Sequence, residues 1–243
     1  WPSIRGMEEG ERLHYRNKAQ FPVRMVDGHL CAGFFALRSH RLIPLTQCLI
    51  QSEASNRLLT PLLTFLEQLG VTAYDETTGE GLLRHILIRD GRRSGEVLVC
   101  LVINGRELPE EPRIVSFLME RGVTSVSINV NSSCTNVILG EKTRIIGGKN
   151  AIEEEIGPLT FTISPTSFFQ VNPIQTERLY QAAMEMAELT GTEVVWDAYC
   201  GAGTISLFLA QKAKQVYGVE VVEAAVRNAW ENAVKNEMDN VEF

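Results

Sequence analysis

The sequence predicts an α/β chain: the opening half of a parallel, doubly wound sheet over residues 158–243, preceded by an α+β unit over 1–157. Three observations predict it. After Gly157-Pro158 the pattern runs strand–helix–strand–helix–strand, and parallel neighbours need such crossover connections. A glycine turn, Gly201-Ala202-Gly203, joins an apolar strand to a helix there, where open α/β sheets bind their ligands. Before Gly157 most runs are strand-like, with two helices among them, which reads as an antiparallel sheet with helices against it.

The elements follow in order. Over 15–37 two apolar runs flank Asp27-Gly28, a hairpin turn pair. Over 52–69, Leu58, Leu59, Leu62, Leu63, Leu66 and Leu69 fall at helical spacing, and Gly70 stops the helix. Strands are expected over 82–89 and 96–104, a helix over 110–121 and a strand over 123–131. Shorter strands are expected at 136–140 and 143–148. Asn172-Pro173 opens the next helix, since asparagine caps well and proline is tolerated at the first helical position. Leu179, Ala182, Ala183 and Met186 are expected to line its buried face. A strand over 193–200, a helix over 204–213, a strand over 215–220, a helix over 222–236 and a strand opening at Asn240 complete the chain.

Composition bounds the function. With 243 residues, 44% hydrophobic and 22% charged, the chain has ample material for a core. No apolar run approaches the roughly 20 residues of a membrane span, and no signal peptide opens it. A cytoplasmic monomer without a membrane partner is expected. Cys31, Cys48, Cys100, Cys134 and Cys200 are scattered without zinc spacing, as reduced thiols would be. His14, His29, His40 and His85 show no ligand spacing either. The net charge of −7 is uneven. Residues 1–48 carry Arg5, Arg12, Arg16, Lys18, Arg24, Arg38 and Arg41 against four acids, whereas 151–243 hold five basic residues against fourteen acidic ones. A nucleic acid would therefore meet the front of the chain, although a solvated basic surface accounts for the same residues. Trp1-Pro2 lacks an initiator methionine and Phe243 ends within a strand, so a truncation is expected at both ends.

The strongest local motif is Asp197-Ala198-Tyr199-Cys200-Gly201-Ala202-Gly203-Thr204. A dinucleotide fingerprint would place a third glycine where Ser206 stands. Asp197, at the strand end, would repel a pyrophosphate but suits an ammonium or sulfonium group. Glu220 closes the next strand 19 residues after Gly201 and could accept hydrogen bonds from ribose hydroxyls. The pair favours a methyl-donor nucleoside over a nicotinamide cofactor; a ligand-free α/β turn is the plain structural alternative. A second motif, 164–172, holds Phe168-Phe169-Gln170-Val171-Asn172. Asn172 needs no role beyond capping, and the Gln170 amide could orient a ligand.

SFFQVN, followed by DAYCGAGTISL and YGVE, resembles the RNA uracil-C5 methyltransferase family. YRNKAQFPV (15–23), LRHILIR (83–89) and NVILGEKTRIIGG (136–148) are similar to that family's central domain, so the likeness runs from about Tyr15 to Phe243. It implies the front half of a Rossmann-like S-adenosylmethionine-dependent methyltransferase domain behind an α+β central domain. It further implies that Gln170 lies at the amino-acid end of S-adenosyl-L-methionine, Tyr199 in the loop beneath it and Glu220 at its ribose. Thr204 would touch it in some members; Asp197 and Gly201 are carried more by their places in the loop. The acceptor implied is uridine C5, in 23S ribosomal RNA by the look of the central domain, or alternatively in transfer RNA. A flipped-out base is required, because the target atom is inaccessible in a stack. Arg16 and Lys18 are expected to hold RNA phosphates.

The family's chemistry adds a cysteine thiolate to C6, methylates C5 and then removes the C5 proton with a general base. The resemblance puts both groups beyond Phe243, so no catalytic residue is assigned and the chain alone is expected to be inactive. Cys200 is read as a packing residue. Many bacterial members hold a [4Fe-4S] cluster, and Cys48 matches its fourth ligand; a buried lone thiol explains Cys48 equally well. Two other readings stand: a methyltransferase with a different acceptor, and a non-catalytic RNA-binding relative.

Overall fold

The structure, a computed structural model, describes residues 11–243. Arg5, Trp1 and Pro2 lie outside them. Strands β1 (Lys18–Val26) and β2 (His29–Phe35) form the expected hairpin, with Val26 opposite His29. Asp27 and Gly28 have φ of 51° and 82°, the left-handed pair that a two-residue hairpin loop demands. After β3 (Leu42–Pro44) comes α1 (Glu53–Gln68), whose Ser52 side chain accepts from the Ser55 amide at 3.2 Å. Five of the six leucines expected on its inner face are buried. Strand β4 (Leu83–Asp90), β5 (Val97–Ile103), helix α2 (Glu111–Met119), β6 (Ser125–Val130) and β7 (Lys142–Gly148) follow.

These seven strands form one sheet in the order β3-β2-β1-β4-β5-β6-β7. It is mixed rather than antiparallel: β5 and β6 pair in parallel, Leu98 to Ser125 through Ile103 to Val130, with α2 as their crossover. The strand expected at 136–140 is absent, and the segment is a loop. Its backbone is instead satisfied by two side-chain amides: Asn131 Nδ2 donates to the carbonyls of Val137 and Ile138, and Asn129 Oδ1 accepts from the Gly140 amide. No neighbouring strand is then needed.

The sheet is covered on both faces, which explains why β5 reads as an unbroken apolar run and why β4 is buried from Leu83 through Arg89. Ile86, Ile88, Val99 and Leu101 join the core beneath α1 and α2. The alternate residues Leu87, Leu98 and Cys100 join a second core with the remainder of the chain. That core begins with the hairpin β8 (Ile152–Ile156) and β9 (Leu159–Ile163), turned at Gly157-Pro158, so the change of pattern in the sequence falls within a hairpin.

Helix α3 (Pro173–Met186) is capped by Asn172, which accepts from the Gln175 amide at 3.2 Å. Its buried face differs from the expected one: Pro173, Thr176 and Tyr180 point inward, whereas Leu179 and Met186 are 59% and 65% exposed. Thr176 can be buried because its hydroxyl donates to the Asn172 carbonyl. The expected parallel pattern closes the chain: β10 (Val194–Ala198), α4 (Thr204–Ala210), β11 (Gln215–Val219), α5 (Glu223–Lys235) and β12 (Val241–Glu242), with β10-β11-β12 in parallel register. Among the described residues no helix is long and apolar enough to cross a membrane.

Candidate functional site

Parallel pairing of β10 and β11 brings Asp197 opposite Gly218 and Ala198 opposite Val219, so the two strand ends open side by side. The loop from Tyr199 to Gly203 folds over that edge. Gly201 and Gly203 have φ of 56° and 74°, and Tyr199 shares the left-handed region at 64° with 87% of its surface exposed. Gly203 has no room for a side chain: a Cβ there would lie 2.9 Å from Phe243 and 3.0 Å from Ala229.

Glu220, at the end of β11, anchors the loop. One carboxylate oxygen accepts from the amides of Val221 and Val222 at 2.8 and 2.9 Å; the other accepts from Gly201 at 3.2 Å. These amides, the Val222 one foremost, hold the carboxyl below the usual glutamate range. An ionised carboxylate only accepts, and the oxygen facing Gly201 retains a free lone pair for a hydroxyl donor. Asp197 is half-buried and receives the Ser206 hydroxyl at 2.5 Å. Burial raises its pKa, opposed by that hydroxyl. Thr204 meets the Tyr180 hydroxyl at 2.8 Å, which ties the start of α4 to α3.

Cys200 is buried, and burial with the nearby Asp197 and Glu220 charges pushes its thiol up to about 11. It is packing, not an activated nucleophile. Cys48 sits in a loop held by Asn56, which accepts from the Cys48 amide and donates to its carbonyl. Among the described residues no three metal-binding side chains gather anywhere.

The second motif alternates inward and outward. Phe169 is buried in the second core, while Phe168 and Gln170 are exposed. Three side chains clamp the motif. Arg89 donates to the Ser167 carbonyl at 2.5 Å, Asn228 of α5 donates to the Ser167 hydroxyl at 3.2 Å, and Asn17 donates to the Gln170 carbonyl at 3.2 Å. Asn17 also gives its own amide to Val171 at 3.0 Å. The stretch before β1 is therefore physically part of the site.

A set that sequence reasoning missed lies on α5 and its C-terminal cap. Asn228, Asn232 and Asn236 recur every four residues on one face. Asn232 accepts from the Thr162 amide at 2.9 Å and donates to the Ala202 carbonyl at 3.1 Å. Asn236 accepts from Thr160 and donates back to its carbonyl. This ladder stitches β9 and the second motif to the glycine loop. Three asparagines at helical spacing, in a helix otherwise amphipathic, were the available signal.

Comparison with known proteins agrees with this arrangement. Residues 6–243 match the family described as tRNA (uracil-5-)-methyltransferase. An RNA methyltransferase of Clostridium tetani is 47% identical over 242 residues, which is 99% of this chain and 52% of that protein. One from Oceanobacillus iheyensis is 48% identical over 243 residues, covering 99% and 52%. The chain thus spans about half the length of these relatives. Among solved structures, the tRNA (uracil-54, C5)-methyltransferase of Pyrococcus abyssi, in complex with S-adenosyl-L-homocysteine, matches with a TM-score of 0.80 at 25% identity, over 96% of this chain and 56% of that one. The fold is that of the α/β S-adenosylmethionine-dependent methyltransferases, and this chain belongs to the tRNA (uracil-5-)-methyltransferase family.

Proposed function

We propose that the chain carries the cofactor-binding half of an RNA uracil-C5 methyltransferase that uses S-adenosyl-L-methionine. One observation carries the reading: the Glu220 carboxylate is ionised, fixed by three backbone amides and set against a glycine loop at the carboxyl edge of β10 and β11. A fixed acceptor there suits ribose hydroxyls, and the half-buried Asp197 beside it suits a cationic group. When bound, the cofactor supplies an electrophilic methyl group. In this assignment Glu220 holds the ribose, Asp197 the cationic end, and Tyr199 and Gly201 the loop beneath it. Gln170 orients the amino-acid end, and Thr204 borders the site while anchoring α4 through Tyr180.

The acceptor we assign is a uridine of 23S ribosomal RNA, on the likeness of the stretch before Gly157 to the ribosomal enzymes. Transfer RNA is the competing acceptor, favoured by the Pyrococcus structure. In this assignment residues 1–157 form the RNA-facing unit and 158–243 the cofactor unit, with the β8–β9 hairpin spanning the division. No nucleophile is assigned within residues 11–243, so methyl transfer would require a thiol and base supplied elsewhere. A cytoplasmic monomer fits this role.

Calorimetric titration of S-adenosyl-L-homocysteine into the chain tests the reading, beside a Glu220→Ala variant. Binding that drops at least tenfold in the variant supports it. NADH binding in place of the homocysteine compound, by folded protein, would overturn it. Labelled methyl transfer by the intact protein to 23S ribosomal RNA or to transfer RNA then decides the acceptor.

A further inference from the structure

Beside the second motif a pocket of about 290 Å³ opens, lined by Arg16, Lys18, Gln20, Phe34, Gln51 and Val171 among others. That volume is near the lower end of the ~300–1,000 Å³ of small-molecule sites. Backbone hydrogen bonds preform its walls. Arg16 donates to Ile50 at 3.0 Å, Ser52 donates to Arg16 at 3.1 Å, and Asn17 donates to Val171 at 3.0 Å.

Three features of the walls suit a ligand. Among the described residues neither Arg16 nor Lys18 forms an ion pair, yet with Arg89 they set three cations close together. Lys18 is lowered to about 8, by burial first and then by Arg89 and Arg16. Uncompensated positive charge in a partly buried recess favours an anion. Gln51 is only 4% exposed, and its side-chain oxygen is buried without a hydrogen-bond partner, an arrangement that costs stability unless an N–H donor arrives. Phe34, 38% exposed and tilted against Phe21, offers an aromatic wall.

We propose that this pocket takes one unpaired nucleotide of the RNA other than the acceptor uridine: its phosphate on Arg16 and Lys18, its base against Phe34, and a base N–H donated to Gln51. Stacking on an aromatic wall with a base edge read by an amide is how proteins hold single-stranded RNA. The proposal rests on the RNA methyltransferase reading and adds a binding site to it. Because Asn17 joins the pocket wall to Gln170, a nucleotide seated here would register the RNA against the cofactor loop.

The test is fluorescence anisotropy with a labelled oligouridylate of about a dozen nucleotides, titrated at several salt concentrations, with S-adenosyl-L-homocysteine binding measured in parallel. Lys18→Met should weaken RNA binding about tenfold and reduce the salt slope by about one. Phe34→Leu and Gln51→Leu should each weaken it several-fold with the slope unchanged. Gln51→Leu, which removes the orphaned oxygen, should leave thermal stability equal or higher, an opposite movement that a merely structural residue would not give. If the parent binds both ligands and all three variants match it, the pocket is not the site while the methyltransferase reading stands. If the folded parent binds the homocysteine compound but no RNA, the pocket also fails. Failure to bind the homocysteine compound strikes the underlying reading instead.

Discussion

Replacing Asn232 with alanine cuts a side chain that joins the β8–β9 hairpin to the glycine loop. Asn232 is 1% exposed and makes two hydrogen bonds, both to main-chain groups: it accepts from Thr162 at 2.9 Å and donates to Ala202 at 3.1 Å. Alanine fills less space and leaves both groups unpaired in a site water does not reach. Each stranded group costs about 1–3 kcal/mol. Alanine's better helix propensity returns at most roughly 0.7 kcal/mol. The net expectation is a loss of about 1–5 kcal/mol, equivalent to roughly 3–20 °C in melting temperature for a chain of this size. Urea denaturation followed by circular dichroism measures it, with Asn236→Ala as the comparison. Asn236 is half-buried and should lose less. Because the Ala202 carbonyl lies in the loop itself, Asn232→Ala should also weaken S-adenosyl-L-homocysteine binding at temperatures where the variant remains folded. A variant within about 0.5 kcal/mol of the parent would refute the reasoning, since that is the range of a surface substitution.

Three further outcomes follow from the same geometry. Asp90 is raised to about 6, by burial first, with one carboxylate oxygen buried and unpartnered; the folded protein therefore holds its proton more tightly, and stability should fall as pH rises from about 4 to 6. Asp90→Asn should remove that fall, exceeding the parent above pH 6 by on the order of 2 kcal/mol and converging with it near pH 4; a parallel pair of stability–pH curves would contradict this. Gly203→Ala forces a Cβ to within 2.9 Å of Phe243 at a φ of 74°, so denaturation should show a loss of roughly 1–3 kcal/mol, and an unchanged midpoint would argue against the packing described. In native protein at pH 8 a thiol reagent should modify the exposed Cys134 quickly and Cys200 only on unfolding; rapid labelling of Cys200, mapped by mass spectrometry, would show the loop to be more open than described.

What the sequence disclosed follows the range of the interactions. The β1–β2 hairpin depends on Asp27-Gly28 alone, and α1 on a leucine stripe with Ser52 and Gly70 at its ends, so local chemistry was enough. Asp197, Gly201 and Glu220 were also legible, because a strand–loop–helix–strand unit returns the chain to the same sheet edge about 20 residues later. Pairing partners were not. Nothing in the apolar run 96–104 says whether its neighbour lies parallel, although the helix between β5 and β6 was a signal for the crossover. The face of α3 was misread because apolar side chains were weighted and satisfied polar ones were not: Thr176 goes inside once its hydroxyl is bonded to Asn172. The same weighting read 136–140 as a strand, whereas its backbone is taken up by Asn129 and Asn131 and the segment is a loop. Gln51 and Asn17 act on residues more than a hundred positions away or on a pocket that exists only after folding, and no spacing rule reaches them.

The clamps on the second motif share one chemical property. Arg89, Asn17 and Asn228 do not grip Phe168 or Gln170 by their side chains; they bond the Ser167 carbonyl, the Gln170 carbonyl and the Ser167 hydroxyl. Phe169 adds an anchor in the core. The segment's path is thereby fixed without using the two side chains it presents outward, which leaves Phe168 and Gln170 free to meet ligands at no cost to folding. The clamps come from different places: Asn17 from the stretch just before β1, Arg89 from β4 of the seven-stranded sheet, and Asn228 from the helix that also holds the glycine loop through Asn232. Since β4 and β5 are buried on both faces, the sheet cannot shift beneath the motif without breaking both cores. The pocket wall and the Glu220 loop are therefore held in one rigid frame, so a pocket variant removes RNA contacts without moving the loop, and this is the physical reason to expect it to act on RNA affinity while cofactor affinity holds.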